Sequence, residues 1–340
     1  MKNCIWFMGG LSSQRDILLA IKEAKIDDLT VLASHPQNRP EILSVADYSF
    51  VEPEESALLE FMANIIERYE VGTVHVGRNC SWFEQHRPEI EEMGVRLVTG
   101  ARDVATFALA DDKVKFAAFM EQSGLPVVPS LQINTVDELK AAIADKPFGD
   151  VPMCIKPVTG IYGQGFWRLD PNATMMKALA DPDSRRINPN LYLQALQGTE
   201  IKPQVLMPYL AGPECSVDML LEHGEVIAAI GRKKEGALQH MEIESPAFNL
   251  AQACAMKMRA DGLINVQTRN NQFGEPLLLE INLRPSGGIC YSRACGVSLP
   301  VLFAKRQTGQ LTKGHAKNSA VRSFRRATVR VVSDVIHLPE

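Results

Sequence analysis

Residues 277–288 read LLLEINLRPSGG, and this stretch decides the fold. On an extended strand successive side chains point to opposite faces, so Glu280, Asn282 and Arg284 share one face while Ile281 and Leu283 share the other. With a rise of roughly 3.4 Å per residue, the carboxylate, amide and guanidinium stand about 7 Å apart. Hard oxygen ligands beside a fixed cation are what a Mg²⁺-nucleotide site requires. The alternative is the exposed face of a half-buried edge strand, and three such residue types just before Ser286-Gly-Gly288 argue against it. The run Gly262-Leu-Ile-Asn-Val-Gln-Thr-Arg269 leads into this strand through the turn-rich segment from Asn270 to Glu275. An antiparallel pair centred near residues 273 and 274 sets Gln267 opposite Glu280 and Asn265 opposite Asn282, which adds an oxygen beside the same cation.

A second signal is Cys154-Ile-Lys-Pro-Val-Thr-Gly-Ile-Tyr-Gly-Gln-Gly165. Lys156 ends an apolar strand, and Gly160, Gly163 and Gly165 let backbone N–H groups approach phosphates without Cβ obstruction. No GK[ST] follows, so this is not a Walker A loop, and taken alone it reads as a plain glycine turn.

Outward from these motifs, residues 1–100 alternate short apolar runs with helical patterns, which predicts βαβ units and a parallel sheet. Strands are expected at Cys4 to Met8, Leu29 to Ala33, Thr73 to Val76 and Val95 to Val98, with helices at Asp16 to Ala24 and Ser56 to Tyr69. The turn Gly9-Gly-Leu-Ser-Ser13 lacks GxGxxG, and the second strand ends Ala33-Ser34-His35 with no acid, so nicotinamide binding is disfavoured. Further on, Thr135-Val-Asp-Glu138 is a capping box, and Ser216 to Ile230 reads as a hairpin. The cluster Gly231-Arg-Lys-Lys-Glu-Gly236 reads as a solvated turn.

The composition is that of a globular chain: 340 residues, 46% apolar, 22% charged and 6% aromatic, with a net charge of −4. At about 100 to 200 residues per domain this length holds two or three domains. No basic excess supports nucleic acid as the main partner. The run Cys4 to Met8 is too short for a secretory segment or a membrane span, so a soluble, cytoplasmic protein without a membrane partner is expected. The seven cysteines form no CxxC pair and read as buried, reduced thiols. The seven histidines form no HExxH pair or triad signature.

Together the ordered motifs resemble the ATP-grasp superfamily, and within it the carbamoyl-phosphate-synthetase-like ligases. They are Asp112-Lys113 with Phe116 and Gly124-Leu-Pro126, Ile155-Lys-Pro157 with its glycine loop, Pro208 through Asp218, Asn265-Val-Gln267, and Glu280-Ile-Asn-Leu-Arg284. The resemblance implies an α/β fold with an N-terminal Rossmann-like pre-ATP-grasp domain at 1–100. A two-lobed α+β ATP-grasp fold follows at 101–310, comprising a linker and first lobe (101–150), a glycine-loop lobe (151–210) and a catalytic lobe (211–310). A basic tail occupies 311–340.

By the same resemblance, Lys113, Lys156, Gly160, Gly163 and Gly165 hold ATP phosphates. Met207, Tyr209 and Leu210 lie in the adenine hinge, and Glu214 binds the ribose. Gln267, Glu280 and Asn282 bind Mg²⁺, with Mn²⁺ an alternative. Arg284 steadies the transferring phosphoryl group, Lys156 assists it, and Arg232 points a basic group toward the active site. Two features depart from many relatives: Met207 stands where Glu is common, and the metal set has one carboxylate and two amides. The implied activity is an ATP-dependent ligase that activates a carboxylate as an acyl phosphate and couples it to an amine. The partners are ATP and two small-molecule substrates, with a homodimer as one assembly. The alternatives are a catalytically weak ATP-binding module and a phosphotransferase.

Overall fold

The computed structural model describes residues 2–11, 13–160, 163–332 and 335–337. Ser12 of the first turn, Ile161 and Tyr162 of the glycine loop, and part of the 311–340 tail lie outside the described residues. The chain forms two compact units, and it passes between them more than once. The first comprises Met1–Phe107, Pro213–Thr268 and Ile281–Glu340; the second comprises Ala108–Gly212 and Arg269–Glu280.

In the first unit, β1 (Cys4–Met8), β2 (Thr30–His35), β3 (Tyr48–Val51), β4 (Thr73–Val76) and β5 (Arg96–Val98) form a parallel sheet in the order β3-β2-β1-β4-β5. All five residues of β1 are buried, as a central parallel strand covered on both faces requires. Helix Ser13–Glu23 buries Ile17, Leu18 and Ile21, and helix Glu55–Tyr69 buries Leu58, Met62, Ile65 and Ile66. The sequence reading counts four strands here. It passes over β3, an edge strand whose residues are mostly exposed and therefore carry no apolar alternation.

The third sheet runs β15-β14-β11-β12-β13-β16. Its strands are β11 (Glu214–Glu222), β12 (Glu225–Glu235), β13 (Leu238–Glu242), β14 (Gly262–Asn270), β15 (Pro276–Asn282) and β16 (Thr328–Arg330). The β11–β12 hairpin turns at His223 and Gly224, both at positive φ (52° and 82°), as a two-residue type I′ loop demands. Because β12 continues to Glu235, residues 231–235 are strand and not the solvated turn expected. The basic tail is likewise built in: it forms helix Lys313–Ser323 and then β16, which pairs antiparallel with β13. Lys313 and Lys317 both reach Glu225, at 2.7 and 2.5 Å. One apolar core, including Phe7, Ile17, Ile230, Leu263 and Phe303, serves both sheets of this unit.

The second unit holds the sheet β6-β10-β7-β8-β9, made of β6 (Leu131–Ile133), β7 (Met153–Pro157), β8 (Trp167–Leu169), β9 (Arg186–Ile187) and β10 (Gln204–Pro208). Strand β10 is antiparallel to both β6 and β7. The expected cap is present: Thr135 Oγ1 accepts the Glu138 N–H at 3.1 Å, opening helix Val136–Asp145. Among the described residues no helix is long and apolar enough to cross a membrane.

Candidate functional site

Within the second unit, Lys113 is the first residue of helix Lys113–Gln122, whose N-cap Asp112 accepts the N–H groups of Val114 and Lys115. This start aims a nearly buried lysine, 9% exposed, at the glycine loop, where its Nζ donates to Val158 O (3.1 Å) and Gly160 O (3.3 Å). Burial pushes the Lys113 ammonium below the usual lysine range, and the like charge of Lys156 pushes it further, while Glu280 opposes both. Lys113, Lys156 and Glu280 therefore share one electrostatic environment. Asp111 and Asp112 oppose the shift as well, so the two lysines sit among three carboxylates, an arrangement that suits a cation-bound polyphosphate. Lys156 lies on β7, opposite Val205 of β10.

In the glycine loop, Gly160 sits at φ 144° with open space where a Cβ would project, so its backbone is unobstructed. Gly163 and Gly165 are also at positive φ (62° and 70°), and Arg185 donates to the Gly163 carbonyl.

The hinge follows β10. Met207 is buried and joins an apolar cluster with Val128, Cys154 and Val205, so its side chain belongs to the core and offers no polar contact. The Tyr209 N–H is taken by Pro152 O at 2.7 Å. Its ring is met by the guanidinium of Arg168, 4.3 Å from the centroid, and by that of Arg269, at 5.5 Å. Leu210 is buried at the rim of the same cluster.

In the first unit, Gln267 and Asn282 are half-buried on β14 and β15, and Glu280 is half-buried two residues before Asn282. The strand ends at Asn282, so alternation does not reach Arg284; a hydrogen bond from its Nη2 to Asn282 Oδ1 (3.2 Å) connects the two instead. The β14–β15 turn closes through the Asn271 N–H on Glu275 O at 2.8 Å, with Gly274 at φ 82°, and this closure is one residue off the pairing that would set Gln267 directly opposite Glu280. Asn265 is turned toward β11, donating to Ser216 Oγ and Asp218 Oδ1. Gly100, at φ 109°, abuts the Leu283 carbonyl so closely that a Cβ would lie 1.9 Å from its oxygen. Glu214 is bridged by Lys234, its partner in the β11–β12 register, at 2.5 Å.

Arg232 is 4% exposed, and its guanidinium is engaged by Asp218, Gln239, Ser216 and Ser286.

The structure adds residues that the sequence reading missed. A small cleft of about 20 Å³ lies at the carboxyl ends of β1 and β4, lined by Gly10, Gln14, His75, Arg284 and Pro285 among others. His75 sits inside the apolar run Thr73-Val-His-Val76, where pattern alone reads it as core. Glu52, just beyond β3, accepts from Gly9 N (3.0 Å) and Ser34 Oγ (2.7 Å), and burial raises its carboxyl above the usual range. The acid missing from the end of β2 is thus supplied from β3, and it occupies an N–H of the turn that a dinucleotide phosphate would need. Among the described residues no three His, Cys, Asp or Glu side chains gather as a metal cluster. The oxygen set of one carboxylate and two amides still suits Mg²⁺, because an amide oxygen has two lone pairs and Asn282 can accept from Arg284 and ligate at once.

A family model described as ATP-grasp in the biosynthetic pathway with Ter operon matches residues 200–335. The chain is 25% identical over 293 residues to the arginine-specific carbamoyl phosphate synthase large chain of Geobacillus stearothermophilus, covering 80% of this chain and 26% of that one. It is 22% identical over 306 residues to the N-terminal section of the carbamoyl phosphate synthase large chain of Methanopyrus kandleri, covering 85% and 52%. The chain thus spans between about a quarter and a half of the length of these relatives. Among solved structures, N5-carboxyaminoimidazole synthetase from Staphylococcus aureus complexed with ADP superposes with a TM-score of 0.64 at 13% identity, covering 91% of this chain and 78% of that one.

Proposed function

We propose that the chain is a member of the ATP-grasp superfamily and an ATP-dependent ligase that activates a carboxylate as an acyl phosphate and couples it to an amine. The observation that carries this reading is that the Lys113 ammonium reaches the glycine loop at Val158 O and Gly160 O while the charges of Lys156 and Glu280 both act on it. A polyanion bound there relieves the mutual repulsion of the two lysines, and Glu280 adds a hard oxygen for its cation.

Gln267, Glu280 and Asn282 would hold Mg²⁺, which when bound neutralises phosphate charge. Lys113 and Lys156 bind the phosphates, and the glycine loop offers backbone N–H groups and excludes water. In the hinge, the Tyr209 N–H is already used by Pro152 and the Pro208 C=O accepts the Cys154 thiol at 3.9 Å, so the Pro208 C=O would take a second donor, and the Leu210 N–H would serve as donor, to read adenine. Proline at 208 costs nothing there, since only its carbonyl is required.

In the first step a substrate carboxylate oxygen bonds to the γ-phosphorus as the bond to the β-phosphate oxygen breaks, releasing ADP. In the second, the amine nitrogen attacks the acyl carbon, phosphate leaves, and the nitrogen loses a proton. Arg284, whose Nη2 donates to Asn282 Oδ1, would steady the charge on the transferring group.

The test is ADP and phosphate release from mixtures of carboxylates and amines. Turnover that needs both supports the ligase. A stable phosphorylated product without an amide would identify a phosphotransferase, and ATP binding without any ADP would refute turnover. Glu280→Gln is expected to abolish ADP formation while circular dichroism stays native; wild-type turnover in that variant would mean the metal site is elsewhere.

A further inference from the structure

The turn after the catalytic strand, Ser286-Gly287-Gly288, has the composition of a phosphate cradle, but its geometry is set by an arginine from another strand. On β12, Arg232 donates from Nε to Asp218 Oδ2 (2.7 Å), from Nη1 to Gln239 Oε1 (2.7 Å), and from Nη2 to Ser216 Oγ (3.1 Å) and Ser286 Oγ (2.9 Å). All three guanidinium nitrogens are committed, in the planar fork that arginine provides and lysine lacks. Asp218 is 1% exposed, and Asn265 Nδ2 donates to its second oxygen at 2.9 Å, so the acceptor is itself fixed from β14. A polar tie therefore crosses β14, β11, β12 and β13 and ends on the loop that carries Arg284.

Gly288 completes the fit. A Cβ there would lie 2.6 Å from Arg232 Nη1, 2.7 Å from its Cζ and 2.9 Å from the Tyr291 ring, whose centroid is 5.6 Å from that Cζ. Ser286 Oγ also accepts the Gly288 N–H at 3.1 Å, and Gly288 O accepts the Tyr291 N–H at 3.0 Å. The serine supplies the acceptor, and the glycine leaves the space that the guanidinium fills.

We propose that Arg232 is a positioning residue, which acts through Ser286 to fix the loop carrying Arg284, and that Ser286-Gly287-Gly288 is the seat of its guanidinium. For its effect on turnover this rests on the ligase reading above; for its effect on the loop it does not.

Two measurements test it on the full chain. Ser286→Ala leaves the buried Asp218–Arg232 pair intact, whereas Arg232→Lys keeps the charge but cannot reach Asp218 and Ser286 together. In both, the Tyr291 amide should exchange with deuterium about tenfold faster, the signature of a loosened loop. In both, kcat for ADP formation should fall about tenfold or more with KM for ATP within about twofold, since a small displacement of a reacting group costs rate more than binding. Gly288→Ala should reproduce the same pattern by forcing the guanidinium out. Wild-type exchange and wild-type kcat in Ser286→Ala and Arg232→Lys overturn the proposal. So does a raised KM for the carboxylate or amine at unchanged kcat, because that shows Arg232 touching substrate. If the wild-type chain forms no ADP from any mixture, the ligase reading fails; the exchange measurement then decides the positioning by itself, unchanged rates overturning it and faster ones supporting it.

Discussion

Replacing Lys113 with Met should weaken ATP binding while sparing the fold, and the structure sets the size of both effects. Lys113 is 9% exposed, and its ammonium is held by Val158 O and Gly160 O. A hydrogen bond to a charged group contributes about 1.5–3 kcal/mol, so losing the phosphate contact should raise the ATP dissociation constant about 10- to 150-fold. Methionine is of similar length and carries no charge, so the variant loses two hydrogen bonds to carbonyls but also the burial cost of the cation and its repulsion from Lys156. Val158 O still accepts the backbone N–H of residue 113, at 3.4 Å, and is not left unpartnered. The opposing contributions leave the unliganded fold within about 1 kcal/mol of wild type.

Titration with a fluorescent nucleotide measures the first effect and urea denaturation the second. The pH dependence supplies a check. The folded-state pKa of Lys113 is lowered, so between that value and the ordinary 10.5 the unfolded chain still binds a proton that the folded chain has released. Stability should therefore gain a contribution as pH rises through that window, and Lys113→Met should lack it. Unchanged ATP affinity together with a loss of 2 kcal/mol or more of stability, well above the estimate from its hydrogen bonds, would show that Lys113 only clips the loop in place and would refute its phosphate role.

Two further outcomes follow from burial. Burial lowers the pKa of His75 from 6.5 to about 4, where its ring packs on Phe7 and Phe303. As pH falls from 6.5 toward 4 the unfolded chain takes up a proton that the folded chain refuses, so stability should drop by about 1.4 kcal/mol per pH unit from this group. His75→Phe should flatten that limb of a denaturation series, and an identical acid limb in the variant would contradict the assignment. The thiols of Cys4, Cys154 and Cys290 are pushed up to about 12, 11 and 12, and those of Cys215 and Cys254 are also raised. Native protein at pH 8 should alkylate at these five positions far more slowly than denatured protein, read by peptide mass mapping. Rapid labelling of any of them would show that it is accessible as thiolate.

Much of the local architecture is legible along the chain. Thr73 to Val76 is a strand in both readings, and Thr135 caps its helix as its spacing to Glu138 predicts, because periodicity and capping depend on residues a few positions apart. Strand β3 escapes that logic because its exposed edge leaves no alternation to read. The tail residues 328–330 escape it because three residues become a strand only when β13 is there to pair with them.

By itself the sequence determined which chemistries are present and in what order: two lysines, a glycine loop, and a carboxylate, amide and guanidinium close together near residue 280. Only the tertiary structure decided which of them meet. Lys113, Lys156 and Glu280 come into one field although the first and last are far apart in the chain. Arg232, read in sequence as an active-site cation, becomes a buried strut whose bond to Ser286 spans 54 residues. The reason is physical. Propensity and spacing act over a few residues, whereas a guanidinium's partners are whatever packing brings within 3 Å, and burial makes a full set of them necessary.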